Sequence, residues 1–175
     1  MKIAFATSEA YPFAKTGGLA DVVGALPEAV APHGVRMTTL LPGYPSVMAA
    51  IKRPRLLHRY TDLLGVPARL LGAQIDGHPL ILLDAPALFD RPGTPYGQGN
   101  GPDWDDNWHR FAALGKAGAD LASGAIKGLK FDVLHAHDWQ AAMAPAYLRY
   151  MNAPKPPSII TIHNIAFQGQ FGAEI

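Results

Sequence analysis

A seven-residue run near the N-terminus combines a lysine, two adjacent glycines and an aspartate, a composition suited to binding a phosphate. The run is Lys15-Thr16-Gly17-Gly18-Leu19-Ala20-Asp21. Adjacent glycines let a ligand approach the backbone closely, and a helix that begins there presents unpaired N–H groups to an anion. The run is neither a G-x-G-x-x-G fingerprint nor a Walker A loop, so a glycine turn with a solvated lysine stays open as an alternative.

A second polar run, His135-Ala136-His137-Asp138-Trp139, directly follows an apolar segment. Alternate residues of a strand point to the same side, so His135 and His137 are expected to share one face. Such a pair allows a metal site, although metal hydrolases need further ligands, and histidines bonded to the backbone in a turn are the favoured alternative. Asp138 is placed to cap the next helix, to orient a ligand hydroxyl, or to do both.

A third polar run, Thr161-Ile162-His163-Asn164, again follows an apolar segment. Ligands of open parallel sheets bind at the carboxyl ends of the strands, so the three runs together predict one cleft. Tyr96 and the run Asp105-Asp106-Asn107 are candidates to close over that cleft. The two aspartates have a simpler alternative role, because acidic residues suit the beginning of a helix.

Alternating strand and helix patterns separate these runs. Apolar segments predict strands at residues 2–7, 35–41, 131–135 and 158–162. Helical spacing of apolar residues predicts helices at residues 19–30, 106–125 and 140–150, with a kink or break at Pro27. This alternation predicts an α/β domain, Rossmann-like in three layers, with a mostly parallel sheet.

Three further segments do not follow the alternation. Residues 68–75 and 80–85 flank Asp76-Gly77, which predicts a β-hairpin added to the parallel sheet. Residues 44–60 contain a basic stretch and are interpreted as a loop or a solvated face. Residues 90–104 are rich in glycine and proline, and a loop of that length in a compact domain tends to be functional or mobile.

Composition excludes several classes of protein. The 175 residues suffice for one domain, and 15 Lys and Arg against 14 Asp and Glu give no electrostatic case for nucleic acid. We find no run of about 18 apolar residues that would predict a membrane span. The absence of cysteine excludes a disulfide framework and a thiolate nucleophile, and it fits a cytoplasmic location.

The motifs in combination resemble the bacterial glycogen synthases and the plant starch synthases. The likeness covers essentially the whole chain, in the order and spacing of that family. It comprises residues 15–22 (Lys-Thr-Gly-Gly-Leu-Ala-Asp-Val), Leu41-Pro42-Gly43-Tyr44, Gly93-Thr94-Pro95-Tyr96, Asp106-Asn107, Arg110-Phe111, residues 135–139 and residues 161–169.

The resemblance implies a GT-B type fold of two Rossmann-like halves, with ADP-glucose bound between them. It implies transfer of glucose to the non-reducing end of an α-1,4-glucan such as glycogen, with retention of configuration and without a metal ion or other cofactor. Motif by motif, it assigns roles to seven residues of this chain. They are Lys15, Gly17, Gly18, Tyr96 and Asn164 for donor binding, and Asp138 and His163 for catalysis.

The resemblance also implies that residues 1–175 are the N-terminal half of such an enzyme. The chain stops at Gly172-Ala173-Glu174-Ile175 without a capping helix, so we expect it to be part of a longer protein and inactive alone. The missing C-terminal domain would carry base recognition, so ADP-glucose and UDP-glucose are not distinguished. Two alternatives remain: a stand-alone glucan- or nucleotide-binding module, and a metal-dependent hydrolase built on His135 and His137.

Overall fold

The computed structural model describes residues 1–174, so Ile175, the last residue of the expected domain, lies outside the described residues. The seven strands are β1 (Lys2–Ala6), β2 (Arg36–Pro42), β3 (Arg55–Leu63), β4 (Val66–Ile75), β5 (His78–Asp84), β6 (Val133–His137) and β7 (Ser158–Thr161). The helices are α1 (Gly18–Val30), α2 (Pro45–Ala50), α3 (Pro86–Phe89), α4 (Asn107–Ala122), α5 (Asp138–Ala141) and α6 (Met143–Tyr150), with a 3₁₀ turn at Ala31–His33.

All seven strands form one sheet in the order β3-β4-β5-β2-β1-β6-β7. The five strands from β5 to β7 are parallel, whereas β3, β4 and β5 pair antiparallel. The connection from β1 to β2 crosses the sheet in one direction, and the connection from β5 to β6 crosses it in the opposite direction. Right-handed crossovers therefore place α1 and α4 on opposite faces of the sheet, which gives the three layers expected from the sequence.

The direction of the crossovers reverses at the centre of the sheet. After β1 the chain moves to β2 on one side, and β6, on the other side of β1, is reached later from β5. Connections that leave neighbouring strands toward opposite faces open a crevice at the carboxyl ends of those strands. The crevice of this fold therefore lies beyond Ala6 at the end of β1 and His137 at the end of β6.

The central strands are covered on both faces. Their apolar residues therefore form continuous runs and do not alternate with polar residues. In the central strands, Phe5, Leu40, Leu82 and Leu134 are almost completely buried. Burying one such side chain contributes about 1.5–3 kcal/mol. The apolar runs seen in the sequence thus form the packed core of the sheet, and the crevice lies at the carboxyl ends of these strands.

The hairpin prediction is confirmed. The sequence predicts a loop or a solvated face at residues 44–60; the loop is wrong, whereas the basic stretch is largely exposed. Asp76 and Gly77 form a two-residue turn with φ of 47° and 83°, as hairpin turns require. Residues 44–60 contain α2 and most of β3, an edge strand that has β4 alone as its neighbour. Edge strands commonly carry basic side chains, which hid the apolar alternation of this segment.

Other differences concern element boundaries. Strand β6 is displaced by two residues from the predicted 131–135, and the carboxylate of Asp132 instead accepts the backbone N–H of Lys2 at 2.7 Å. The predicted break at Pro27 is absent, since α1 continues through it. The helix predicted at 140–150 begins at Asp138 and is divided into α5 and α6 at Ala142.

Candidate functional site

The glycine loop, residues 15–18, is the last part of the connection from β1 to α1 and includes the first residue of that helix. Gly17 is the residue before the helix and Gly18 is its first residue. A Cβ atom built on either glycine would have no neighbouring atom within 4 Å. Packing within the chain therefore does not demand glycine here, and the open space leaves the first turn of α1 accessible to a ligand.

Glu9 holds the glycine loop in place, a role that sequence reasoning missed. Its side chain is buried, and Oε2 accepts the backbone N–H of Thr16 at 2.6 Å and that of Gly17 at 3.3 Å. Oε1 accepts the hydroxyls of Thr16, at 2.6 Å, and of Tyr96. We call these contacts the Glu9 network. The available signal was a carboxylate three residues after the end of an apolar strand, where burial demands partners.

Tyr96 therefore lies on the glycine-loop side of the crevice. Its hydroxyl also lies 3.0 Å from Ser8 Oγ, and burial together with the nearby Glu9 carboxylate raises the pKa of the phenol. The Tyr96 carbonyl accepts a hydrogen bond from Asn107 Nδ2 at 2.8 Å. Tyr96 thus belongs to the scaffold of the loop, with its hydroxyl already engaged.

The polar residues at the start of α4 brace the glycine- and proline-rich loop, residues 90–104. Asp106 accepts two hydrogen bonds from Arg91, at 2.7 and 2.6 Å. The buried Arg110 donates to the carbonyls of Leu88 and Pro95, at 2.7 and 2.9 Å. Asp106 and Asn107, expected as possible lid residues, are instead anchors of this loop.

Lys15 carries the positive charge expected beside the glycines. Its ammonium group donates to both carboxylate oxygens of Asp21, at 2.7 and 2.8 Å. Both side chains are about half exposed, so solvent screens this ion pair strongly. The charge is thus held at the first turn of α1 by a contact that a phosphate can displace at low cost.

The histidine cluster, comprising His135, His137, Asp138 and His163, lies at the ends of β6 and β7. His135 and His137 share one face as predicted, with ring centroids 4.3 Å apart. His135 Nε2 lies 2.7 Å from Thr161 Oγ1, and His137 Nδ1 lies 2.7 Å from His163 Nε2. The two strands are parallel and adjacent, so these side chains meet across one ladder.

Asp138 has an unusual backbone for a non-glycine residue, with φ of 52°. Aspartate and asparagine tolerate this left-handed region better than most residues, although it is still strained. The conformation turns the chain sharply out of β6, and Asp138 Oδ1 accepts the backbone N–H of His163 at 2.7 Å. This contact ties β6 to the segment after β7, which a helix-capping role alone would not do.

Burial governs protonation in this cluster. Burial, reinforced by the neighbouring His135 and His163, lowers the pKa of His137 to about 3. Burial followed by His163 also lowers the pKa of His135. Both imidazoles are therefore neutral at physiological pH. Within residues 1–174, no group of three or more His, Cys, Asp or Glu side chains is arranged to hold a metal ion.

The segment after β7 packs on Trp139 at one point. Gly169 has φ of 63°, and a Cβ there would lie 2.3 Å from the Trp139 ring, so glycine is required. Phe171 contacts the same indole at a ring separation of 5.7 Å. Asn164 is exposed, and its Oδ1 accepts the N–H of Ala166 at 3.0 Å. Within residues 1–174, the side-chain contact of Asn164 is this local turn.

The three predicted runs are thus brought to neighbouring strand ends, in the order β1-β6-β7. The structure defines a Rossmann-like α/β domain with its polar side chains gathered at the topological switch point, of the kind found in GT-B proteins. Residues 2–175 match the family model of the starch synthase catalytic domain, and the chain belongs to that family.

Individual relatives agree with this assignment. A glycogen synthase of Novosphingobium aromaticivorans is 62% identical over 178 residues, and one of Mesorhizobium japonicum is 55% identical over 175 residues. The alignments cover the whole of this chain but 37% and 36% of those relatives, so the chain spans little more than a third of their length.

A solved structure shows the same fold. It is the catalytic domain of starch synthase IV from Arabidopsis thaliana, bound to ADP and acarbose. It superposes with a TM-score of 0.70 at 27% identity, covering 96% of this chain and 34% of that one. Separately, none of the helices described in residues 1–174 is long and apolar enough to cross a membrane.

Proposed function

We propose that the chain is the N-terminal half of a glycogen synthase that transfers glucose from ADP-glucose to the non-reducing end of an α-1,4-glucan, with retention. The observation that carries the proposal is the placement of the glycine loop after β1 and of the histidine cluster at the ends of β6 and β7, which are neighbouring strands on one side of the switch point. Its support from relatives is the 62% identity to a glycogen synthase over the whole chain.

In this proposal the glycine loop binds the diphosphate of the donor. Gly17 already donates its N–H to Glu9, so the amide of Gly18, in the open first turn of α1, is the better placed donor to phosphate. Lys15 exchanges its exposed contact with Asp21 for the phosphate charge. Tyr96 contributes by holding Glu9, and Asn164 lies exposed beside the donor.

Asp138 and His163 are proposed to face the transferred glucosyl unit. A retaining transfer develops positive charge on the sugar ring, which the Asp138 carboxylate stabilises. His163 holds a sugar hydroxyl in place through a hydrogen bond. No step of this scheme uses a metal ion or another cofactor.

The rest of the site is proposed to come from a C-terminal nucleotide-binding domain, which would also choose between ADP-glucose and UDP-glucose. The acceptor is glycogen, and neither nucleic acid nor a membrane is a partner. The cytoplasm is the proposed location, since the sequence contains no cysteine.

The test compares this chain alone with a hybrid enzyme. In the hybrid, the chain replaces the matching residues of the Novosphingobium aromaticivorans glycogen synthase. We expect the chain alone to incorporate no labelled glucose into glycogen above a blank, because half of the cleft and its stabilisation of the leaving diphosphate are missing. The hybrid should transfer glucose from ADP-glucose.

Two outcomes contradict the proposal. Transfer by the chain alone would show that the second domain is not needed. A hybrid that is folded by circular dichroism yet inactive, beside an active native relative, would remove the catalytic role and favour the glucan- or nucleotide-binding module. Binding of glycogen by the isolated chain, measured by sedimentation, would then support that module.

A further inference from the structure

A pair of histidines in the histidine cluster has a hydrogen-bond geometry that determines which atom of His163 can contact a ligand. His137 is fully buried, and its Nδ1 lies 2.7 Å from His163 Nε2, with the two rings nearly parallel at 23°. At that distance one nitrogen must donate a proton and the other must accept it. The direction of this hydrogen bond therefore sets the tautomers of both rings.

The surroundings of His137 Nε2, the other ring nitrogen, indicate the direction of this hydrogen bond. Its Nε2 has no hydrogen-bond partner among residues 1–174, and the ring packs edge-on against Phe5 at a centroid distance of 4.4 Å. If His163 were the donor, the proton of His137 would sit on Nε2 as an unpaired N–H in apolar surroundings. Orphaned buried N–H groups are rare in proteins. With His137 as the donor, Nε2 carries no proton and the unpaired N–H is avoided.

We propose that His137 is a positioning residue that donates from Nδ1 to His163 and thereby fixes His163 as an Nδ1–H donor at the ligand crevice. Asp138 Oδ1 accepts the His163 backbone N–H at 2.7 Å, which fixes the backbone from which the His163 ring reaches His137. The low pKa of His137 agrees with a singly protonated ring.

The consequence concerns the chemistry of the ligand. With Nε2 occupied by His137, His163 offers the ligand one N–H and no lone pair. The group that faces it must be an acceptor, such as a sugar hydroxyl oxygen or a phosphate oxygen, and His163 does not act as a base there. This consequence rests on the proposed function, whereas the tautomer itself does not.

The tautomer is measured directly by long-range ¹H–¹⁵N correlation spectra of the ¹⁵N-histidine-labelled chain. We expect His163 to carry its proton on Nδ1 and His137 on Nδ1. A proton on Nε2 of His163, or rapid exchange between its two nitrogens, would overturn the proposal. This measurement needs neither a ligand nor a second domain.

Matched substitutions of His137 test whether its Nδ1–H sets the tautomer of His163. His137→Asn keeps an amide N–H near the position of Nδ1, whereas His137→Leu keeps apolar volume and has no donor. The tautomer of His163 should persist in the asparagine variant and be lost in the leucine variant. His33→Gln is the control, since His33 is an exposed histidine of the 3₁₀ turn and lies outside the histidine cluster. An unchanged tautomer in a folded leucine variant would contradict the role of His137, and the wild-type spectrum decides if that variant does not fold.

The same variants in the hybrid enzyme separate positioning from stability. We expect His137→Leu to lower kcat/KM about tenfold and His137→Asn to restore it to within about twofold, the range of one hydrogen bond. Equal losses in both variants, following their melting temperatures, would indicate a structural role and overturn the proposal. If the hybrid is inactive with every variant, the proposed function fails while the tautomer result stands.

Discussion

The glycine loop and the histidine cluster lie at neighbouring strand ends, but their polar atoms are satisfied in different ways. In the glycine loop, the buried carboxylate of Glu9 accepts hydrogen bonds from two amides and two hydroxyls. In the histidine cluster, Asp138 accepts one backbone N–H and is only partly buried. The first region uses its carboxylate for the fold, and the second keeps a carboxylate partly exposed at the crevice.

This difference indicates whether a substitution should change stability or the reaction. Removing a fully bonded buried group leaves its partners unsatisfied, so its effect falls on stability. Removing the charge of a partly exposed group that retains its hydrogen bond leaves the fold intact, so under the proposed function we expect its effect on the reaction. The following predictions test this contrast, and the kinetic ones use the hybrid enzyme.

Asp138 and His163 should show the largest effect. Asn at position 138 tolerates the positive φ and still accepts the His163 N–H, and Gln at position 163 can accept from His137. Asp138→Asn and His163→Gln should therefore reduce kcat by about 10² or more with little change in melting temperature. Kinetics and thermal unfolding of the same preparations decide, because normal turnover with a clear drop in melting temperature would leave a helix-capping role alone.

Lys15 should show the next largest effect. A charge-assisted contact to phosphate contributes about 1.5–3 kcal/mol, so Lys15→Ala should lower kcat/KM roughly ten- to a hundredfold, mainly through KM for the donor. Stability should hardly change, because the pair with Asp21 is exposed. Lys127→Ala, at an exposed lysine in the connection between α4 and β6, is the matched control. Equal kinetics in both variants would make Lys15 a solvated loop residue.

Glu9 should affect stability instead. Glu9→Ala leaves the amides of Thr16 and Gly17 without their acceptor, which should lower the free energy of unfolding of the isolated chain by about 2 kcal/mol. Glu9→Gln retains one oxygen for the amides and an NH₂ group for the hydroxyls of Thr16 and Tyr96, so it should lose less than half as much. Urea unfolding measures both. A loss below about 0.5 kcal/mol in the alanine variant would show that the Glu9 network does not hold the loop.

Acidification should have the smallest effect, and it should come from the histidine cluster. His137 stays unprotonated in the folded state down to about pH 3, whereas the unfolded chain binds this proton near pH 6.5. The unfolded state thus binds more protons, and the stability contributed by His137 is lost as pH falls below 6.5. Between pH 7 and 5 this loss is roughly 1–2 kcal/mol.

His137→Asn isolates that contribution. The variant should lose less stability than the wild type over the same interval, which lies above the range in which most carboxylates titrate. Urea unfolding at pH 7, 6 and 5 gives the difference. Parallel curves for the two proteins would show that His137 is protonated as easily in the folded state as in the unfolded one.

Much of the fold follows from local pattern. The apolar runs of β1, β2, β6 and β7 and the Asp76-Gly77 turn were predictable, because buried parallel strands and two-residue hairpins have strong compositional signals. Strand β3 was not, since an edge strand with basic residues has a pattern close to that of a loop. The boundary of β6 also moved, because Asp132 bonds to Lys2, which lies 130 residues away in sequence.

The candidate site likewise contains residues that the sequence predicted and residues that it did not. The sequence alone determined that Lys15, Asp138 and His163 follow apolar strands, and hence that they lie at the carboxyl edge of a parallel sheet. The contacts of Glu9 with the glycine loop and of His137 with His163 are visible in the folded structure, and the local sequence does not specify these pairings. Those contacts join residues far apart in the chain, and their strength comes from burial, which is a property of the packed domain and not of any local segment.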